Sequence, residues 1–411
     1  MAQLFFAETS QHPSIAYGGP LPAEPHTPLT LPQALYQAAH QERETGIVYF
    51  QPDGTDLTHS YATLSQEAEY ILAGLRARGL QAGEKVILQI EENQDYLPAF
   101  WACVLGGFIA VPISIAPSYT QANITTAKLQ KAWEICEYPL IVASLTLVDA
   151  LHTLGTAQGM ENLHVESVDA LRASGRRQEE RHWHEAQPDD NVLILFTSGS
   201  TGMPKGVPLT HRNILAIARG FTVLEGLSPQ EVTFNWMPLD HIGGLVTFHL
   251  RDVFLGCQQI HASPQAVLQS PLTWLDCLTR YRATCTWAPN FAFSMINDQA
   301  SALSNGRWNL SSLRYILNAG EAIVPKTARR FLELLRPYGL VSSSIHPSWG
   351  MSETSSGVTF SSTFSLEMTS DEDRFVDVGA VIPEVWVRIV DRQNQVLTEG
   401  ETGHIQVRGP T

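Results

Sequence analysis

The sequence holds no CxxC pair, and its five cysteines (Cys103, Cys136, Cys257, Cys277 and Cys285) are scattered and odd in number. That excludes a cysteine zinc cluster and a disulfide framework, and it favours a reducing cytoplasm. Basic residues are in deficit: 26 Lys and Arg stand against 41 Asp and Glu, a formal charge of −15. Such a surface repels a polyanion, so nucleic acid is not expected as the main partner, although a small basic pocket can still take one nucleotide. Long apolar runs are missing as well. The most apolar window, residues 100–117, contains two glycines and two prolines and is too short to span a bilayer. Residues 1–14 lack the basic stretch and apolar run of a secretory signal. A soluble, cytoplasmic protein with no membrane partner is expected. There are no internal repeats or low-complexity tracts.

What is present is ordinary globular material. The chain has 411 residues, 44% of them hydrophobic, which is enough for more than one core and for two or three domains. Residues 1–30 are rich in Pro, Gly, Ser and His and read as an irregular leader. Beyond them helix and strand alternate. Leu64, Ala68, Ile71, Leu72 and Leu75 form a helical stripe ending near Gly79. Residues 85–90 read as a strand, 96–107 as a helix, 109–113 and 140–143 as strands, 146–154 as a helix and 163–165 as a strand. A polar stretch, 174–190, marks a boundary, after which the apolar strand 192–196 restarts the pattern. Past Asp377 the rhythm shifts to short strands at 385–391 and 404–408, joined by a turn near Asn394. The fold class is therefore α/β. Two adjoining α/β subdomains with layered sheets and helices are expected at about 31–185 and 186–380, and a small, truncated β-rich one at 381–411.

The chemistry is most readable at residues 197–206, TSGSTGMPKG. A buried strand runs into Thr197, Ser198, Gly199, Ser200, Thr201 and Gly202, and Lys205 follows. Glycines let backbone N–H groups curl around an anion, hydroxyls add hydrogen bonds, and the lysine adds a mobile cation. The segment does not fit GxxxxGK[ST], so it is not a Walker loop. Ser/Gly/Thr clusters are also common as plain surface loops. The strand in front, the Pro-Lys-Gly behind and the helix from about His211 favour the phosphate reading.

Residues 193–206, LILFTSGSTGMPKG, resemble the signature loop of the acyl-adenylate-forming superfamily, which contains acyl-CoA synthetases, fatty acyl-AMP ligases and adenylation domains of nonribosomal peptide synthetases. Three further segments arrive in that family's order. MPLDHIGG (237–244) resembles its His-containing segment, with His241 in the motif position. NAGEA (318–322) resembles the stretch at adenine, placing Gly320, Glu321 and Ala322 there. SWGMSET (348–354) resembles the aromatic-Gly-x-Thr-Glu motif and brings in Trp349, Gly350, Met351, Ser352 and Glu353. The resemblance runs from about Leu31 to Thr411.

It implies ATP and Mg²⁺ as cofactors. Lys205, Ser352, Glu353 and His241 take catalytic positions, and Glu353 is the carboxylate for the metal, consistent with the one or two carboxylates Mg²⁺ usually uses alongside phosphates. Trp349 offers a face for adenine stacking, though a core tryptophan is the competing reading. The acid's carboxylate would attack the α-phosphorus and expel pyrophosphate, with the protein mainly positioning reactants and neutralising charge.

The resemblance places the acid beside His241, Ile242, Gly243, Gly244, Asn290 and Phe291. Amino-acid-activating relatives carry Asp where Ile242 stands, to pair the substrate ammonium; an aliphatic residue cannot neutralise a buried ammonium. Asp240, on the other side of His241, blurs that alignment. The inference is an acid lacking an α-amino group, fatty or arylalkanoic. Residues 287–293, WAPNFAF, resemble a segment of fatty acyl-AMP ligases and read both as an apolar channel and as a buried strand and turn. As a whole the chain is most similar to loading adenylation domains of hybrid polyketide–peptide synthases. These hand an acyl group to the phosphopantetheine thiol of a carrier protein; an acyl-CoA ligase is the near alternative, and a non-catalytic nucleotide-binding module the distant one. The sequence ends at EGETGHIQVRGPT, before the family's ribose-binding Asp and its lid lysine. Turnover is expected to need that lid.

Overall fold

The computed structural model describes residues 12–22, 26–41, 45–121, 123–178, 182–198, 204–303 and 306–411, with only the backbone of Ser198. Helix Tyr61–Ala77 shows how local sequence sets the elements. Ser60 caps it by accepting from the Thr63 N–H, and Leu64, Ala68, Ile71, Leu72 and Leu75 are buried along one stripe. The apolar window that is too short for a bilayer turns out to be helix Asn93–Gly106, buried from Tyr96 to Gly106, followed by the buried strand Ile109–Pro112. Among the described residues no helix is long and apolar enough to cross a membrane. All five cysteines are free and buried.

Three sheets organise the chain. The first has six strands in the order Val165–Ser167, Leu140–Ala143, Lys85–Gln89, Ile109–Pro112, Asn191–Ser198, Pro204–Thr210. The second has nine, in the order Ala380–Val381, Ser356–Phe360, Ile345–Met351, Tyr315–Asn318, Cys285–Trp287, Val232–Asn235, Gln258–His261, Gly46–Tyr49, Leu57–Ser60. Its six central strands are parallel and its outer pairings antiparallel. The third joins Ile15–Tyr17 to Trp386–Val390 and His404–Arg408.

These pairings depart from the expected layout in four places. Strand Asn191–Ser198 does not open a second sheet; it pairs with Ile109–Pro112 in the first. Gly46–Tyr49, from the first half, lies instead in the nine-stranded sheet beside Gln258–His261. The two sheets therefore interleave along the chain rather than dividing near residue 185. The leader is also not irregular throughout, because Ile15–Tyr17 supplies an edge strand to the C-terminal sheet. The fourth difference lies after residue 203, where Pro204–Thr210 is a strand antiparallel to Asn191–Ser198, with Thr197 opposite Lys205.

Candidate active site

Four of the sequence motifs sit at equivalent places on one sheet. Strands Ile345–Met351, Tyr315–Asn318, Cys285–Trp287 and Val232–Asn235 are consecutive parallel neighbours. Their carboxyl ends lead into Ser352 and Glu353, Gly320–Ala322, Asn290 and Phe291, and Asp240–Gly244 respectively. Parallel strands put all their carboxyl ends on one edge, which is where open α/β sheets bind ligands. Segments more than a hundred residues apart in sequence are brought together this way.

A cavity of about 660 Å³ opens beside this edge. Thr197, His241, Ile242 and Ser352 line it, together with Ile124, Ala127, Lys128, Lys131, Leu195, Phe196, Pro204 and Asp240. Most of that wall is apolar, and the polar groups are few, as expected of a small-molecule site. Gly199, Ser200, Thr201 and Gly202 lie outside the described residues, so of the expected phosphate loop the structure carries its two flanking strands. Lys205 is exposed.

His241 is held firmly. Its Nδ1 accepts the Gly243 N–H at 3.1 Å, and its ring stacks on Trp287 with centroids 5.9 Å apart. Crowding in the cleft pushes the imidazole below its ordinary pKa; Lys128 adds to this and Asp240 opposes it. The ring nevertheless keeps surface open to the cavity. The Asp240 carboxylate accepts a short hydrogen bond from the Ser114 hydroxyl.

Beneath the histidine, residues Gly243–Leu250 form a fully buried π-helix, a rare geometry that is frequent at functional sites. A methyl group on Gly243 would lie 2.3 Å from the Trp287 ring, and one on Gly244 2.3 Å from the Pro238 carbonyl oxygen. Both glycines are thus packed behind the histidine, and neither lines the cavity. Trp287 is fixed in turn by donating from Nε1 to Asn235 Oδ1 at 3.3 Å. Replacing Gly243 by alanine is expected to cost about 1–3 kcal/mol by overpacking and to displace the indole from His241. Urea unfolding and tryptophan fluorescence test this, and a parent-like midpoint with unchanged emission would show that the ring has room.

The remaining residues lie along the same edge. Gly320, at φ +90°, turns the chain in a conformation that favours glycine. Glu321 Oε1 accepts the Phe291 N–H at 2.6 Å, at the start of helix Asn290–Asn297, and Ala322 follows it. Asn290 is buried with Oδ1 accepting the Val324 N–H at 3.0 Å, so its amide ties the helix to the Gly320 segment. Phe291 is exposed and edge-on to Trp236. Trp349 is half-buried against the apolar residues packed on the nine-stranded sheet, so one side packs while the rest remains accessible. The strand bulges between Trp349 and Gly350. Gly350, Met351 and Glu353 are exposed. Shortly after Glu353, Ser355 adopts φ +56°. A non-glycine residue there costs on the order of 1–3 kcal/mol, a strain typical of functional turns.

Lys128 and Lys131 are site residues that the sequence motifs do not single out. They share a stripe with Ile124 and Ala127 at spacings of three and four on helix Ile124–Ile135. That spacing was the available signal, but a lysine stripe reads as a solvated face.

Two interleaved α/β sheets thus carry motif-bearing turns along one parallel edge with a cavity against them. The chain belongs to the AMP-binding enzyme family, whose model matches residues 35–411. It is 32% identical over 364 residues to the nonribosomal peptide synthetase apvA of Aspergillus terreus, covering 86% of this chain and 38% of the relative. The chain thus spans well under half the length of the curated relatives it matches. Among solved structures it is similar to an adenylation domain of a keto acid-selecting NRPS module bound to keto acyl adenylate (39% identity, TM-score 0.91, 97% of this chain and 78% of that one). It is likewise similar to McyG A-PCP complexed with phenylalanyl-adenylate (43%, 0.92, 97% and 61%).

Proposed function

We propose that this chain is the acid- and ATP-binding body of an adenylating enzyme. It activates a carboxylic acid lacking an α-amino group to an acyl-adenylate, with release of pyrophosphate, for transfer to the phosphopantetheine thiol of a carrier protein. The observation that carries this reading is the convergence of Thr197, His241, Ile242 and Ser352 on one cavity at the carboxyl edge of the parallel sheet. In this reading the sequence segment from Thr197 to Gly202 grips the triphosphate, and Lys205 adds charge from the strand paired with Asn191–Ser198. Gly320–Ala322 and Trp349 flank adenine. Mg²⁺ would be taken by Glu353, which is exposed one residue after Ser352 of the cavity wall. No group of three or more His, Cys, Asp or Glu able to hold a metal occurs among the described residues, so the ion would lean on phosphate oxygens and this one carboxylate. The free, buried thiols support a cytoplasmic setting.

Ile242 in the cavity wall favours an amine-free acid, and the keto acyl adenylate bound to one structural neighbour agrees with it. A specific observation supports a second reading: the Asp240 carboxylate shares the wall, and another neighbour is complexed with phenylalanyl-adenylate. The Ser114 hydroxyl already engages that carboxylate, which weighs against its serving an ammonium. Acid-dependent ATP–pyrophosphate exchange, measured on the chain extended by the expected lid, decides between them. Fatty, arylpropanoic, α-keto and amino acids are the arms. Exchange strongest with an amino acid would overturn the inference from Ile242, and no exchange with any acid would leave the non-catalytic module. Parallel incubations with CoA and with a carrier protein separate the two acceptors.

A further inference from the structure

We infer that Lys128 and the backbone N–H of Gly243 act together as positioning groups that hold His241 as a neutral ring, with its proton on Nε2, as a hydrogen-bond donor to the carboxylate of an acid in the cavity. The inference rests on the proposed function for the identity of that acid, but not for its test. Three features of the geometry carry it. Nδ1 accepts the Gly243 N–H, so a hydrogen on Nδ1 would collide with that donor, and the ring proton belongs on Nε2. Stacking on Trp287 fixes the ring plane, and Trp287 cannot retreat because Gly243 and Asn235 hold it. Lys128 lines the same cavity and makes no ion pair among the described residues, whereas its neighbour Lys131 pairs with Glu134 at 3.0 Å.

Around the ring, helix Ile124–Ile135 contributes Lys128 and the paired Lys131, and the histidine's own segment contributes Asp240. Tyr96, from helix Asn93–Gly106, is spent on the Leu239 carbonyl at 3.0 Å. Thr197 and Ser352 face the cavity with neutral hydroxyls. Asp240 therefore favours an imidazolium, and Lys128 opposes it. The balance has a chemical purpose. A charge-assisted hydrogen bond is about twice as strong as a neutral one, so an imidazolium would hold back the electron pair with which the carboxylate must attack. A neutral Nε2–H orients the carboxylate and leaves it nucleophilic. Protonation would also break the Gly243 contact where the π-helix begins.

The test uses the chain itself, labelled with ¹⁵N-histidine, with the His241 signals assigned by their loss in His241→Gln. Long-range nitrogen–proton spectra are expected to show Nε2 protonated and Nδ1 bare at about neutral pH. Lys128→Met should move the ring's titration midpoint upward by about half a pH unit, the effect of one charge across a partly solvated gap. Lys128→Arg should leave it in place, and Asp240→Asn should lower it. The other histidines, unchanged, report that the fold is intact. A proton on Nδ1, or a midpoint that stays put in Lys128→Met, overturns the inference; should that variant not fold, the parent's tautomer alone decides. Failure of pyrophosphate exchange would count against the proposed function and leave these spectra untouched, so the two are judged separately.

Discussion

Replacing Asp252 by alanine is expected to destabilise the chain by about 3–5 kcal/mol, the cost of stranding a buried charge, and to lower the urea midpoint by about 1 M or more. Asp252 and Arg251 are both fully buried and paired, with Arg251 Nε donating to Asp252 Oδ1 at 2.9 Å. The second carboxylate oxygen accepts the Thr233 hydroxyl at 2.6 Å. The guanidinium lies 4.9 Å from the Phe221 ring centroid and 4.4 Å from that of Phe248, so it is enclosed by aromatic faces with no route to water. Removing the carboxylate leaves that cation unpaired, and the rings compensate for only part of the loss. The consequence reaches the cavity, because Arg251 begins the helix that continues directly from the π-helix Gly243–Leu250. The double replacement Arg251→Met with Asp252→Leu is expected to recover much of the loss, since a buried ion pair can often be exchanged for well-packed apolar groups. A single variant as stable as the parent would show that the guanidinium finds another partner.

The motif segments and the α/β class are legible in the sequence and the strand pairings are not, for a physical reason. Phosphate and carboxylate chemistry restricts a short contiguous run to a few residue types, so residues 193–206 and 348–354 can be read locally. Strand and helix stripes such as that of Tyr61–Ala77 are local as well, which made the α/β class legible. Which sheet a strand joins is not local. Gly46–Tyr49 pairs beside Gln258–His261, where Gln258 Nε2 donates to the Gly46 carbonyl across 212 residues of chain. Nothing in the composition of either strand encodes that partner. The same holds for Ile15–Tyr17, whose surroundings of Pro and Gly read as irregular until Trp386–Val390 supplies its hydrogen bonds. Lys128 is the corresponding case at the site. Its helix buries Thr126, Leu129, Ala132 and Trp133 on the opposite face, and only the placement of strand Asn191–Ser198 and His241 makes the lysine face a cavity instead of bulk water.

Glu353→Gln is expected to reduce pyrophosphate exchange by the lid-extended chain by about 10²–10³-fold, the usual effect of removing one group that acts on developing charge. The change keeps the shape and removes only the negative charge, and the residue is exposed, so stability should hold within about 0.5 kcal/mol. Ser352→Ala should cost less, because the neutral hydroxyl in the cavity wall can offer a ligand one donated hydrogen bond, whereas the Glu353 carboxylate is the group proposed to hold Mg²⁺. Glu137→Gln is the matched control: it also removes an exposed negative charge, one paired with Lys85 at 2.8 Å at the amino-terminal end of strand Lys85–Gln89. Raising Mg²⁺ should rescue Glu353→Gln in part if the carboxylate's role is to hold the ion, since a weakened site fills at higher concentration by mass action. A loss that magnesium cannot touch would instead make the carboxylate a positioning group for the Ser352 turn, where Ser355 already bends the chain at φ +56°. Parent-like exchange in Glu353→Gln would remove this residue from the site altogether. The metal would then have to be held by phosphate oxygens and water alone.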